Sequence, residues 1–198
     1  LGILTALTGP EDLVVGDRLN HASLIDACRL SGAALRVYPH ADADRLEEVL
    51  KERRGRYRRA MVVTEGVFSM DGDLPPLPRI AEIARRHDAW LLVDDAHGTG
   101  VFGKEGRGSL EHFGISPEGI LQMGTLSKAL GSLGGYLAGP RPAVELLRNK
   151  ARSFIYTTAL PPVVIRVSLA ALKIIQAEPE RQKKFWRNVN LLRTHWND

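Results

Sequence analysis

Short apolar runs alternate along the chain with longer stretches in which apolar residues recur every three or four positions. The runs have the length of β-strands, and the longer stretches have the period of amphipathic helices. Strands are predicted at 34–38, 60–64, 90–93, 120–123 and 135–138, and helices at 23–30, 80–87, 144–147, 163–175, from 44 onward and from about 181 to the end. Strands that alternate with helices favour an α/β fold with a mainly parallel sheet covered by helices.

Local signals refine three of these elements. The run at 90–93 is almost continuously apolar, which is typical of a strand buried on both faces. Asp44 and Glu47 have the spacing of a capping box, so we expect a helix to begin there. The segment through Gly72 and Pro75 contains too many helix and strand breakers to be either, and it is predicted to be a loop.

The size of the chain indicates one core with a small appendage. It has 198 residues, of which 44% are hydrophobic, and this is enough for one sizeable core. Pro179 is the candidate boundary, with residues 1–178 before it and 179–198 after it. Because the chain begins at Leu1 and ends inside a helical pattern, we expect it to be a fragment of a longer protein.

Charge and cysteine content narrow the class of protein. The net charge is +4, and residues 51–59 hold six basic side chains; they either close a helix and form a solvated loop, or contact an anionic substrate carrier such as coenzyme A. Only Tyr57 interleaves with them, which argues against nucleic acid. The single Cys28 excludes an intrachain disulfide and a Cys-rich zinc site, and no metal is expected. No run approaches the roughly 20 apolar residues of a membrane helix, so we expect a cytoplasmic protein.

Candidate chemistry centres on Lys128, which lies among small residues between Gly124 and Tyr136. Asp94 and His97 follow the apolar run at 90–93, at the kind of strand end where open α/β sheets keep their sites. A lysine and an acid are what pyridoxal phosphate requires, because the lysine binds it covalently and the acid pairs with its ring nitrogen. Spacing alone leaves open a solvated lysine and an aspartate that serves as a helix cap or in a salt bridge.

One motif suggests a different cofactor. Residues 98–103 spell G-x-G-x-x-G after a predicted strand, which is the pattern of a dinucleotide-binding turn. Such a turn opens directly into a helix, whereas Gly106 and Gly108 prolong the loop here. We therefore expect no nicotinamide cofactor.

Five segments in order resemble the α-oxoamine synthase family: NHAS at 20–23, TEGVFSMDGD at 64–73, VDDAHGTG at 93–100, GTLSKALG at 124–131 and SFIYTTALPP at 153–162. The resemblance implies a fold-type-I pyridoxal phosphate transferase. Residues 1–178 would be its cofactor-binding large domain, truncated at the N-terminus, and residues 179–198 the start of its C-terminal small domain.

The resemblance assigns catalytic roles to Lys128, Asp94 and His21. Lys128 would bind pyridoxal phosphate covalently and then remove the α-proton of the amino acid. Asp94 would pair with the pyridine nitrogen, and His21 would stack on the ring, although a histidine near a helix start is also a common cap. Thr125 would contact the phosphate.

Four further residues complete the implied site. His97 would bind the phenolic oxygen of the cofactor, with Ser69 in the same neighbourhood. Thr157 and Thr158 would reach the phosphate bound to the neighbouring subunit of a homodimer with shared sites. A hydrogen-bonding turn is an equally good interpretation of the two threonines.

The implied reaction joins an amino acid to an acyl thioester with loss of carbon dioxide. The segments match best the family members of biotin synthesis, which use L-alanine and a pimeloyl thioester. Three alternatives stay open: a ligase of glycine and acetyl-coenzyme A that forms 2-amino-3-ketobutyrate, another α-oxoamine synthase, and a fragment that binds the cofactor without catalysis.

Overall fold

The computed structural model describes residues 1–196 and contains one six-stranded sheet in the order β2-β1-β3-β4-β5-β6. Neighbouring strands from β2 to β5 are parallel, and only the pairing of β5 with β6 is antiparallel. The predicted mainly parallel sheet is therefore confirmed. The strands are β1 (Asp12–Asp17), β2 (Ala34–Tyr38), β3 (Arg59–Glu65), β4 (Ala89–Asp94), β5 (Ile120–Thr125) and β6 (Gly135–Ala138).

Helices cover both faces of the sheet. Side chains alternate between the faces along each strand, so Leu13 and Val15 of β1 join one apolar cluster and Val14 joins the other. In the part of the chain that the structure describes, no helix is long and apolar enough to cross a membrane. The helices are α1 (Gly2–Leu7), α2 (Ala22–Ser31), α3 (Ala43–Arg53), α4 (Leu77–Arg86), α5 (Ser109–His112), α6 (Arg141–Lys150), α7 (Arg152–Ile155), α8 (Pro162–Ala177) and α9 (Glu180–Trp196), with a 3-10 turn at Arg54–Arg56.

The structure corrects several local predictions. The sequence patterns did not predict α1, β1, α5 or α7. The capping box at Asp44 is wrong, because Asp42 is the N-cap: its Oδ1 accepts the Arg45 amide at 2.9 Å, and Asp44 lies in the first turn. Burial on both faces of β4 begins at Leu91, since Trp90 is 37% exposed.

The last two arginines of the basic segment are partly solvated, with 55% and 37% of their side chains exposed, and they also bind a buried carboxylate. Arg58 and Arg59 both donate to the carboxylate of Asp12, which is completely buried at the start of β1. The Gly9 amide donates to the same carboxylate. Burial would raise the pKa of Asp12, but the two guanidinium groups hold it below its ordinary value. Arg54 likewise pairs with Asp88.

We predict that Asp12→Asn lowers the free energy of unfolding by about 2 kcal/mol near neutral pH, because hydrogen bonds to a charged group are lost. Urea titration measures the change. The matched control is Glu11→Gln, which removes an exposed carboxylate 3.4 Å from Arg58 and should cost less than about 0.5 kcal/mol. The depressed pKa means that the contribution of Asp12 is present above pH 3.8 and is lost as the pH falls below it. Equal losses in the two variants would contradict the assignment.

Candidate active site

Three neighbouring strands end at one edge of the sheet with polar residues. Glu65 ends β3, Asp94 ends β4 and Thr125 ends β5, and the strand register pairs Glu65 directly with Asp94. In open parallel sheets, ligands bind at this carboxyl edge. A pocket of about 200 Å³ lies there, lined by His21, Ser23, Glu65, Asp94, Ala96, His97, Met123, Gly124, Thr125, Ser127 and Lys128.

Lys128 and His97 contact each other in this pocket. The turn after β5 carries Lys128, and the Leu126 amide closes the turn by donating to the Gly134 carbonyl at 2.8 Å. Lys128 Nζ lies 2.9 Å from His97 Nε2. Burial and the charge of Lys128 lower the pKa of His97, which favours a neutral imidazole whose Nε2 accepts a hydrogen bond from Lys128 Nζ.

Asp94 places in the same pocket a carboxylate that has few hydrogen-bond donors. It is 7% exposed, and among the described residues only the Ala96 amide donates a hydrogen bond to it, at 3.1 Å. Burial raises the pKa of Asp94, although Ala96, Lys128 and the two pocket histidines act in the opposite direction. A cation bound in the pocket would therefore be favoured next to Asp94.

His21 caps α2 and also lines the pocket. Its Nδ1 accepts the Ser23 amide at 3.2 Å, and its own backbone amide donates to Glu65 Oε1 at 2.5 Å. The two interpretations of His21 are thus compatible, because the ring caps the helix from a position on the pocket wall.

Glu65 is a site residue to which sequence reasoning gave no role. It is 3% exposed, and burial raises its pKa to about 7, with the neighbouring Asp94 acting in the same direction. The signal was available, since Glu65 ends an apolar strand as Asp94 does. Its contact with His21 was not, because the two residues are 44 positions apart.

The remaining predicted residues are placed differently. Thr125 Oγ1 donates to the Gly134 carbonyl at 3.0 Å and lies 2.6 Å from Ser127 Oγ, so it closes the turn while lining the pocket. Ser69, Thr157 and Thr158 are exposed and do not line it. Their predicted roles stay predictions.

The loop that bears Ser69 is tied down by His40. The imidazole lies 3.1 Å from the buried Asp17 carboxylate through Nδ1 and 2.8 Å from Asp73 through Nε2, and its ring meets Phe68 edge to face. Burial would lower the pKa of His40, but the two carboxylates raise it. His40 therefore connects the ends of β1 and β2 to the loop after β3.

Asp95 does not line the pocket but holds the segments next to it in place. It is fully buried, and its Oδ2 accepts the Ser109 amide at 2.9 Å and the Gln122 side-chain amide at 2.7 Å. A side chain at Gly66, Gly98 or Gly108 would collide with this carboxylate. These contacts give Asp95 a structural role.

The G-x-G-x-x-G segment is not a dinucleotide turn. It continues as irregular loop to Gly108, and the next helix, α5, is a four-residue turn that begins at Ser109. Within residues 1–196, no group of three or more His, Cys, Asp or Glu side chains is arranged to hold a metal ion.

The comparisons with known proteins agree with this arrangement. The model of the family described as aminotransferase class I and II matches residues 1–198. The chain is 53% identical over 188 residues to 8-amino-7-oxononanoate synthase of Symbiobacterium thermophilum, covering 95% of this chain and 48% of that protein. It is 53% identical over 194 residues to the enzyme of the same name from Methylococcus capsulatus, covering 98% and 50%. The chain thus spans about half the length of the curated relatives it matches.

Solved structures share the fold. Serine palmitoyltransferase from S. paucimobilis, solved with a PLP–myriocin compound bound, matches with a TM-score of 0.87 and 34% identity over 94% of this chain and 48% of that one. An 8-amino-7-oxononanoate synthase from Francisella tularensis matches with a TM-score of 0.81 and 33% identity, over 96% and 54%.

We predict that Glu65→Gln flattens the pH dependence of stability, since the amide oxygen still accepts the His21 amide but does not ionise. The pKa of Glu65 rises from an ordinary 4.5 to about 7 on folding, so the wild-type chain should lose stability as the pH rises between these values. At pH 8 the free energy of unfolding of the variant should exceed that of the wild-type chain by on the order of 3 kcal/mol. Chemical denaturation at a series of pH values measures it. If the free energy of unfolding depends on pH in the same way in both proteins, Glu65 does not keep a proton in the folded chain.

Proposed function

We propose a reaction for this chain from one established premise: it belongs to the aminotransferase class I and II family. The resemblance to the α-oxoamine synthases is confirmed by the matches to 8-amino-7-oxononanoate synthases and serine palmitoyltransferase. The proposed reaction is the decarboxylative condensation of L-alanine with a pimeloyl thioester to give 8-amino-7-oxononanoate, a step of biotin synthesis. The observation that supports it is a single pocket lined by Lys128, His97 and Asp94. The chain that forms this pocket is 53% identical to an 8-amino-7-oxononanoate synthase.

Pyridoxal phosphate fits the residues of the pocket. Its ring nitrogen can carry a proton, which suits the buried Asp94 carboxylate with its single hydrogen-bond donor among the described residues. Lys128 supplies an amine in the same pocket, and His21 supplies a flat ring. When bound, pyridoxal phosphate supplies an electron sink for the carbanion at the α-carbon of an amino acid.

The residues of this chain would bind, orient and move protons around that group. Asp94 would hold a proton at the ring nitrogen by its negative charge, His97 would form a hydrogen bond with the phenolic oxygen, and Ser69 would lie in the same neighbourhood. Lys128 Nζ, as a neutral amine, would take the α-proton of the substrate. It lies 2.9 Å from His97 Nε2. Thr125 would contact the phosphate, and His21 would orient the ring.

We also propose the organisation of the complete protein. Residues 1–178 would form the cofactor-binding large domain, and residues 179–198, beginning just before α9, the start of a small domain. The complete protein would be a C2 homodimer in which Thr157 and Thr158 reach the partner's phosphate. Apolar side chains exposed along α7 and α8 support an interface, because a helix with such residues on every side is normally buried: Phe154, Ile155, Val163, Ile165, Val167, Leu169 and Leu172.

We predict that borohydride, added after incubation with pyridoxal phosphate, leaves a stable pyridoxyl group on Lys128. Lys128 Nζ is the amine at the pocket, whereas Lys104 is exposed in a loop and serves as the internal control. Peptide mass spectrometry locates the label, and Lys128→Ala should abolish it. Labelling spread evenly over the lysines would remove the support for the cofactor.

The substrates are tested with a version extended to the full length of the curated relatives. We predict that kcat/KM favours L-alanine over glycine by at least about tenfold, the discrimination expected from one methyl group in a pocket. A pimeloyl thioester should likewise be preferred over acetyl-coenzyme A. Preference for glycine and acetyl-coenzyme A would instead identify a 2-amino-3-ketobutyrate ligase, and cofactor binding without any product would indicate a binding protein.

A further inference from the structure

The loop at residues 98–108, here called the glycine loop, connects the pocket to the last helix. It leaves the pocket directly after His97. Two backbone hydrogen bonds close it on itself, from the Gly100 amide to the Gly106 carbonyl at 2.8 Å and from the Gly108 amide to the Phe102 carbonyl at 3.0 Å. The loop is therefore a compact unit whose first residue is bonded to the pocket histidine.

The inner side of the glycine loop touches the residue that follows Lys128. A Cβ atom at Gly100 would lie 2.9 Å from Ala129 Cβ and 3.5 Å from Ile175 Cδ1 of α8. Contacts this close leave no room between the loop and the turn. A displacement of the loop would thus act on both partners of the His97–Lys128 contact.

The outer side of the glycine loop is held by two side chains of α9. Gln182 Nε2 donates to the carbonyls of Val101 and Gly103, at 2.8 Å each, and Trp186 Nε1 donates to the Val101 carbonyl at 3.0 Å. The Trp186 ring also meets Phe102 edge to face, with centroids 5.1 Å apart. Gln182 and Trp186 are one helical turn apart and therefore share a face of α9.

Apart from these attachments, most of α9 faces solvent. Of its residues Glu180–Trp196, none is fully buried, and most side chains are exposed. Gln182 and Trp186 are among the few that are half-buried. The position of α9 is consequently transmitted to the loop through a small number of directional bonds.

We propose that Gln182 and Trp186 are positioning residues, which hold the glycine loop against the Lys128 turn from α9 and so fix the contact between His97 and Lys128. Any ligand or partner that moves α9 would change the pocket through this connection, and occupation of the pocket would reciprocally change the attachment of α9. The inference rests on contacts within the chain and not on the proposed reaction.

The test compares Gln182→Ala/Trp186→Phe with Asn188→Ala, which removes an exposed amide from another face of the same helix. No pyridoxal phosphate is added, so the result is independent of the reaction. Hydrogen exchange of the Gly100 and Gly108 amides should accelerate by roughly tenfold or more in the double variant, as expected when hydrogen bonds of ordinary strength are lost. The control should match the wild-type chain.

The decisive measurement is the NMR titration of the His97 ring. Its signal is assigned as the one that disappears in the His97→Gln variant. Lys128, Asp94 and His21 face this ring, and burial together with Lys128 keeps its pKa below the ordinary value. Releasing the loop should raise the titration midpoint of His97 toward that value. An unchanged midpoint would overturn the proposal, whether or not loop exchange accelerates. If the double variant does not fold, Trp186→Phe alone keeps the Gln182 bonds and the ring, and it should shift the midpoint in the same direction by less.

Discussion

Two carboxylates placed side by side in the interior set the chemistry of this protein. The register of β3 and β4 brings Glu65 opposite Asp94, with exposures of 3% and 7%, and Asp95 is completely buried next to them. Burial raises the pKa of all three, so this edge of the sheet attracts either protons or a cation. The His21 amide donates a hydrogen bond to Glu65, the Ala96 amide to Asp94, and the Ser109 and Gln122 amides to Asp95. The sheet itself therefore creates a pocket with too little positive charge to balance its buried carboxylates.

Much of the fold follows from periodicity. Strand β2 and strand β6 have the predicted bounds, and the other predicted strands and long helices lie within a few residues of theirs. The interior strand β1 is not predicted, although Leu13 to Val15 is apolar, because the run is short and is flanked by Asp12 and Asp17. Those two acids are buried with partners from distant segments, since Arg58 and Arg59 bind Asp12 and His40 binds Asp17. Helix α3 starts earlier than predicted, because the spacing of Asp44 and Glu47 indicates a cap at Asp44 whereas Asp42 caps the helix.

The candidate site divides in the same way. The sequence pointed to Lys128, Asp94 and His97, because a lysine among small residues and polar groups at a strand end are local patterns, and the structure brings all three together with His21 and Thr125. It gave no role to Glu65, Gln182 or Trp186, whose partners are 44, 79 to 81 and 85 positions away. Such contacts depend on where strands and helices pack and leave no trace in residue spacing.

The crowding around the glycine loop has a consequence for how its sequence is interpreted. A side chain at Gly98 would strike the Asp95 carboxylate, one at Gly100 would strike Ala129, and one at Gly103 would strike Glu111. Three unrelated neighbours within the chain thus impose the three glycines of a G-x-G-x-x-G string. The motif is a coincidence of internal packing, and a search by pattern would assign a nucleotide to a loop whose shape is dictated by an aspartate, an alanine and a glutamate of its own chain.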